Sequence, residues 1–205
     1  VEKVVKNIKS KLYPTSDHLI IKVIVNGITF LYISLDNSVR ANKEGFALYK
    51  RLDALLDLVK ACLTEKTIVF FSEACRSSFD GGDVNNKINE HSWFQLRCKI
   101  SETLKLNFLG ECANNEETNG MAFGVAAFST NAAMTSIHSI LPKRILKEGN
   151  GSGAVGIKLM NNAIVWGVHF PIDFKGQANN NFGAKAMTEL IEILQNVKGS
   201  VCAMG

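Results

Sequence analysis

Hydrophobic residues recur along the chain in short runs that predict strands, and the first two runs predict a hairpin. Residues 19–25 and 28–35 are rich in β-branched and aliphatic side chains, which favours extended structure. Asn26-Gly27 lies between them, and this pair favours the positive φ angles of a type I′ turn. The sequence therefore predicts a β-hairpin over residues 19–35.

The apolar positions that follow change to helical spacing. Between Phe46 and Leu63 they recur every three or four residues, and charged residues occupy the opposite side. Residues 68–71 then form a short, wholly apolar run. A strand, an amphipathic helix and a second buried strand at these lengths predict a right-handed βαβ crossover with parallel strands.

The rest of the chain continues this alternation of strands and helices. Helical spacing recurs over 93–104 and 186–197, and apolar runs typical of strands cover 106–112, 121–129, 153–160, 163–170 and 200–204. We expect a single domain over residues 1–205, of the layered α/β or α+β class, with packed β-sheets flanked by helices.

The composition is that of an ordinary globular domain. Of the 205 residues, 46% are hydrophobic and 20% are charged, which excludes a disordered or collagen-like chain. No apolar run reaches the roughly 18–20 residues that a membrane-spanning helix needs, and the first residues lack a signal-peptide core. The net charge of +4 is a mild positive balance that favours phosphate-bearing partners.

The cysteines bear on the cellular compartment. There are five, without a C-x-x-C pair and mostly among apolar neighbours: Cys62, Cys75, Cys98, Cys112 and Cys202. An odd number without metal-ligand spacing favours structural thiols over a disulfide framework or a zinc site. We therefore expect a reducing compartment, cytoplasmic or nuclear, and no membrane span.

Three polar elements adjoin predicted strands, where layered domains expose functional side chains. Glu73 ends the run that begins at residue 68, and a carboxylate there suits a hard cation. The alternative is a solvent-exposed Glu73 paired with Arg76. His169 lies near the end of the 163–170 run, where a core histidine is the common alternative. Ser-Asp-His at 16–18 runs directly into the first strand, and its Asp can help to orient an imidazole.

Together these elements resemble the motifs of the endonuclease/exonuclease/phosphatase superfamily, the deoxyribonuclease I-like hydrolases. In that family one strand leads to Asn, a second to Glu, a third carries His, a fourth ends in Gly-Asp-x-Asn, and Ser-Asp-His precedes a last strand. The similar segments here are, in that order, residues 30–37, 69–74, 166–171, 201–205 and 16–21. For the first motif residue, Asp36 or Ser34 is an alternative to Asn37.

The order of the motifs departs from the family in two ways. Ser-Asp-His comes first instead of last, and the chain stops at Gly205 before an Asp-x-Asn element. A cut through two tandem domains and a circular permutation each explain both departures. We expect a partial or permuted domain, with permutation favoured because the Asn26-Gly27 turn leaves no room for a linker between the two motifs.

The resemblance implies hydrolysis of a phosphate ester by in-line attack of water, with Mg²⁺ or Mn²⁺ as the cofactor. Glu73 and Asn37 would hold the cation. His18 would act as general base or electrostatic partner of the attack, and Asp17 would help to position polar groups at the same site. His169 would donate a hydrogen bond to a phosphate oxygen.

The substrate expectation is a phosphate ester, with nucleic acid favoured by the mild positive charge. Substrate contacts are expected from His169, Asn37 and Arg76. The alternatives are a phosphomonoesterase or a phospholipid or inositol-phosphate hydrolase on the same fold, and an inactive truncated domain with a binding role. Because the family's Asp-x-Asn carboxylate orients the nucleophile, we expect the activity of this exact chain to be severely reduced.

Overall fold

The computed structural model describes residues 9–14, 19–35, 49–77, 90–113, 121–145, 152–169, 182–195 and 201–204. The strands are β1 Lys9–Pro14, β2 Leu19–Val25, β3 Ile28–Ser34, β4 Thr67–Ser77, β5 Asn107–Ala113, β6 Met121–Ser129, β7 Ile137–Ile145, β8 Ser152–Leu159, β9 Ile164–Val168 and β10 Val201–Met204. The helices are α1 Tyr49–Cys62, α2 Glu90–Leu104, α3 Asn131–Met134 and α4 Phe182–Gln195.

The strands form two mixed sheets. The first has six strands in the order β1-β2-β3-β4-β6-β5, and the second has four in the order β10-β9-β8-β7. The pairs β3–β4 and β9–β10 are parallel, and the other neighbouring pairs are antiparallel. This is the layered class with two packed sheets and flanking helices that the sequence predicts.

The predicted hairpin and the predicted parallel pairing of the strands on either side of the first helix are both confirmed. β2 and β3 pair antiparallel across Asn26 and Gly27, whose φ angles of 52° and 78° are those of a type I′ turn. β3 then continues through α1 into β4, and the two strands pair in parallel with Phe30 beside Ile68. Strand β3 is buried at every position from Ile28 to Ile33, as a strand covered on both faces must be.

Successive residues of the central strands contribute in turn to two different hydrophobic layers, one on each face of the first sheet. Leu31 and Ile33 belong to a cluster with Leu52 and Leu56 of α1 on the outer face of the first sheet. Phe30 and Tyr32 belong to the layer between the sheets, which also includes the following residues of the second sheet: Val155, Ile157 and Val165. A third cluster covers the outer face of the second sheet, where Trp166 packs with Leu190 of α4. The layers are therefore helix, sheet, sheet and helix.

Three elements differ from the expectation. Periodicity did not predict β1 or β7, and β4 continues to Ser77 instead of ending near residue 73. β7 contains Pro142, a residue that argues against a strand, but β7 is the edge of its sheet, where a missing N–H is tolerated. None of the helices in the described residues is both long and apolar enough to cross a bilayer.

Candidate active site

Strand directions bring several of the predicted motifs to one end of the first sheet. β3 and β4 are parallel with Ser34 beside Ser72, and the ladder continues because the Leu35 N–H donates to the Ser72 carbonyl at 3.1 Å. β2 runs the opposite way, so its beginning, with Ile20 beside Ile33, lies at this same end. The end of β3, the middle of β4 and the start of β2 therefore lie at the same end of the first sheet.

Glu73 lies at an irregularity in β4, which corrects the expectation that it ends its strand. Ser72 pairs with Val125 and Ala74 pairs with the next residue, Gly124, so Glu73 is an extra residue between two ladder positions. Such a β-bulge bends the strand, and bulges are common next to active sites. The strand continues beyond it because β6 supplies ladder partners as far as Met121.

His169 directly follows β9, and its backbone is held from two sides. The peptide group between Val168 and His169 contains the Val168 carbonyl, which accepts a hydrogen bond from the Tyr32 hydroxyl at 2.7 Å. The N–H of the same peptide donates to the Gly153 carbonyl of β8 at 2.9 Å. Because a peptide group is planar, the two bonds together fix the point from which the His169 side chain projects.

Burial lowers the pKa of His169 from 6.5 to about 4. The cause is desolvation, which disfavours the charged imidazolium in a partly buried site. At neutral pH the ring is therefore uncharged, with one nitrogen as donor and the other as acceptor. A neutral imidazole can donate a single hydrogen bond to an anionic ligand.

The Tyr32 bond also joins the two sheets at this end of the molecule. Tyr32 belongs to β3 of the first sheet, and Val168 is the last residue of β9 in the second. β10 runs parallel to β9, with Met204 beside Gly167, so its carboxyl end lies here as well. The ends of β3, β9 and β10 are thus assembled along one margin where the sheets meet.

The other predicted site residues are described only in part or not at all. Asp17, His18 and Asn37, with its alternative Asp36, lie outside the described residues, next to the start of β2 and the end of β3. Arg76 lies within β4, opposite Ala122 of β6. Their assignment as site residues remains a prediction.

Sequence reasoning missed Tyr32, which the structure brings into the site. It lies in a strand of aliphatic and aromatic residues, where the sequence pattern identifies it only as an apolar position. The available signal was its hydroxyl, since a buried tyrosine needs an acceptor for its O–H. Which carbonyl it would reach could not be foreseen, because donor and acceptor are 136 positions apart.

Within the described part of the chain, no three His, Cys, Asp or Glu residues form a group that could hold a metal ion. Among the described cysteines, Cys62 and Cys112 are buried and Cys98 and Cys202 are partly buried. Burial raises the pKa of the Cys202 thiol, which disfavours its reactive thiolate.

No family model matches the sequence, and no curated protein matches it. Solved structures do resemble the fold. An endonuclease/exonuclease/phosphatase family protein from Leptotrichia buccalis C-1013-b has a TM-score of 0.54 and 11% sequence identity, covering 87% of this chain and 67% of its own.

Two further structures are similar to a lesser degree. The inositol polyphosphate 5-phosphatase domain of SPsynaptojanin, solved with inositol (1,4)-bisphosphate and calcium, has a TM-score of 0.43 and 12% identity, covering 90% of this chain and 48% of its own. An endonuclease/exonuclease/phosphatase from Beutenbergia cavernae DSM 12333 has a TM-score of 0.46 and 12% identity, covering 82% and 44%. The chain thus spans less than half the length of these two structures.

The likeness to the Leptotrichia protein shows the fold. This chain has the two-sheet layered fold of an endonuclease/exonuclease/phosphatase protein, so the resemblance suggested by the short motifs is confirmed at that level. Function does not follow from fold alone and has to be argued from the site.

Proposed function

We propose that this chain forms the core of a metal-dependent phosphoester hydrolase whose site lies where β3, β4 and β9 come together. The observation that carries the proposal is the hydrogen bond from Tyr32 to Val168, which joins the strand before Asn37 to the strand before His169. A shared margin between the sheets is where the motifs of a deoxyribonuclease I-like enzyme must meet.

The donor chemistry near the end of β3 suits a hard divalent cation. Glu73 contributes a carboxylate at the β4 bulge, and Asn37 follows the neighbouring parallel strand with an amide oxygen. Mg²⁺ prefers oxygen ligands and is held by one or two carboxylates, so these two residues would hold Mg²⁺ or Mn²⁺. When bound, the cation supplies positive charge that stabilises the scissile phosphate.

His169 has the properties of a neutral donor to that phosphate. Its lowered pKa keeps the ring uncharged, and its N–H would bond a phosphate oxygen that gains charge in the transition state. His18 would take a proton from the attacking water or stabilise the attack, and Asp17 would help to position polar groups beside it. Arg76 would contact the substrate.

A nucleic acid is our proposed substrate, which makes the activity a phosphodiesterase or nuclease. The support is the mild positive balance of the chain, with 23 Lys and Arg against 19 Asp and Glu. A nucleic acid carries a negative charge on each phosphodiester of its backbone, so a positive field around the protein raises its local concentration.

The test is hydrolysis by the full-length protein with Mg²⁺, using plasmid DNA, RNA and inositol phosphates as substrates. We expect cleavage of a nucleic acid and its loss in the presence of a chelator. Glu73→Gln, which keeps the size of the side chain but removes its charge, should reduce kcat by roughly a hundredfold or more. Glu102→Gln is the matched control, because Glu102 is exposed on α2 and is not one of the proposed site residues.

The outcomes separate the proposals clearly. Full metal-dependent activity in Glu73→Gln overturns the assigned site. Cleavage of inositol phosphates alone overturns the nucleic-acid substrate while leaving the hydrolase. Absence of hydrolysis for every substrate and both metals, in a folded full-length protein, overturns the enzymatic function.

A further inference from the structure

We propose that Tyr32 is a positioning residue for His169, holding the peptide that carries this histidine and so setting where its imidazole meets the substrate. The inference rests on the proposed function, in which His169 contacts a phosphate oxygen. Tyr32 itself touches no reacting atom in this account. Its role is exerted through the backbone of Val168.

The first step of the argument is the geometry of one peptide group. Its carbonyl accepts from Tyr32 at 2.7 Å, and its N–H donates to Gly153 at 2.9 Å. The Gly153 bond extends the β8–β9 pairing by one residue, so it holds His169 within its own sheet. The Tyr32 bond comes from the opposite sheet and fixes the remaining freedom, the rotation of that peptide about the strand axis.

The second step is the rigidity of the donor. Tyr32 is 6% exposed and lies in the middle of β3, paired with Ile21 on one side and Phe70 on the other. A side chain on a buried central strand is held more precisely than one on a loop. The Tyr32 phenol is therefore held in a fixed position, and its hydrogen bond positions the end of β9.

The third step is the position of His169 itself. It comes after the last ladder residue of β9, where a chain would otherwise be free to turn away from the sheet. It is nevertheless partly buried, and burial lowers its pKa to about 4. The two hydrogen bonds to the peptide between Val168 and His169 help to keep this strand-end histidine in its desolvated place.

The experiment removes only the hydroxyl, by Tyr32→Phe in the full-length protein. We expect kcat to fall by roughly tenfold to a hundredfold, the size of effect that a small misplacement of a catalytic group produces. KM should change by less than about threefold, because His169 acts on charge that develops in the transition state. In an NMR titration without substrate, the pKa of the His169 imidazole should rise by about one unit or more toward 6.5 as the ring gains solvent.

Two unnatural residues at position 32 separate the hydrogen bond from the packing of the ring. With 4-aminophenylalanine an N–H donor is restored at the same place, and we expect kcat and the His169 titration to return toward the wild-type values. With 4-fluorophenylalanine the space is filled but no donor is present. That variant should behave like Tyr32→Phe, and it serves as the test if Tyr32→Phe itself does not fold.

The matched control is Thr67→Val, which removes another buried hydroxyl. Thr67 is the first residue of β4, at the end of the sheet opposite to the site, and its hydroxyl donates to the Thr64 carbonyl at 3.1 Å. Its loss should lower stability without changing the His169 titration or the ratio of kcat to KM. A shift of the same size in this control would mean that Tyr32→Phe reports only general loosening, and would overturn the inference.

Failure of the inference and failure of the proposed function give different results. If Glu73→Gln abolishes hydrolysis but Tyr32→Phe and 4-fluorophenylalanine leave kcat and the His169 titration unchanged, the positioning role is wrong and the function stands. If the wild-type protein hydrolyses none of the substrates, the function fails, while the imidazole titration still decides whether Tyr32 holds His169.

Discussion

The backbone of Gly167 lies directly against the aromatic ring of Phe70, with no room for a side chain between them. A Cβ built on Gly167 would come within 2.5 Å of the Phe70 Cδ1, closer than carbon atoms can approach. Gly167 belongs to β9 and Phe70 to β4, so this contact sets how closely the two sheets pack beside the proposed site. Both residues are fully enclosed in the protein interior.

Gly167→Ala should therefore destabilise the protein. Neither Phe70 in the core nor the β9 backbone can move without disturbing a packed layer, and overpacking of this kind costs about 1–3 kcal/mol or more. Urea unfolding measures the change in the free energy of unfolding. Gly110→Ala is the control, because its Cβ would lie 3.6 Å from Ile140 Cγ2, an ordinary contact. Equal stabilities for the two variants would contradict this description of the sheet interface.

Stability should fall with acidification because of His169. In the unfolded chain the imidazole binds a proton below about pH 6.5, while in the folded protein burial lowers its pKa to about 4. Between these values the unfolded state binds more protons, so the stability present above pH 6.5 is lost as the pH falls toward 4. The loss from this group should reach roughly 3 kcal/mol and then level off.

The measurement is urea unfolding of wild type and His169→Asn at several pH values between 4 and 7. The difference in unfolding free energy between the two proteins should change over that window by the amount just given. His138→Gln is the control, since His138 is exposed on β7. A difference that does not vary with pH would show that His169 is not desolvated.

Thr130 should matter for stability at the other end of the first sheet. Its hydroxyl donates to the Glu65 carbonyl at 2.6 Å, accepts from the Thr67 N–H at 3.0 Å and caps α3 through the Ala133 N–H at 3.4 Å. Thr130→Val leaves these partners without their bonds and should cost about 2 kcal/mol. Thr130→Ser keeps the hydroxyl and should recover most of the loss.

The control for Thr130 lies in the same turn. Thr135 is exposed, and its hydroxyl donates to the Ala132 carbonyl at 2.9 Å. Thr135→Val should change the free energy of unfolding by less than about 0.5 kcal/mol, as is usual for surface positions. If it costs as much as Thr130→Val, the hydroxyl network around Thr130 is not what stabilises this end.

The central part of the fold could be predicted from local pattern. The Asn26-Gly27 turn has one favourable geometry, and its short length fixes the register of β2 against β3. The helical spacing from residue 46 onward likewise specified α1, which the structure describes from Tyr49. These features depend on residues that are close in the sequence, so the residue types and the spacing of apolar positions are sufficient to predict them.

The rest depends on contacts that a single sequence does not reveal. Pro142 argues against a strand at β7, since proline is tolerated only in an edge strand and a single sequence does not show that β7 is one. The β4 bulge at Glu73 arises from pairing with β6, some fifty positions away. The lowered pKa of His169 and its link to Tyr32 follow from how two separate sheets stack. Local pattern therefore predicts the strands and the polar residues near their ends, while the contacts that join the two sheets have to be read from the structure.

The most direct test of the central claim is whether a divalent cation binds beside His169 and not elsewhere. The histidine imidazole signals of the full-length protein are followed by NMR as Mn²⁺ is added in small amounts, since this ion broadens signals from nearby nuclei. His138 is the internal reference: it lies near Ile137, which pairs with Leu159, whereas His169 follows Val168, which pairs with Ala154 at the other end of β8.

The two histidines are therefore separated by about 15 Å or more along the strands. The account predicts that Mn²⁺ broadens the His169 signal while the His138 signal stays sharp, and that Glu73→Gln abolishes the effect. Equal broadening of both signals, or selective broadening of His169 that persists in Glu73→Gln, would contradict a cation site formed at the meeting of β3, β4 and β9.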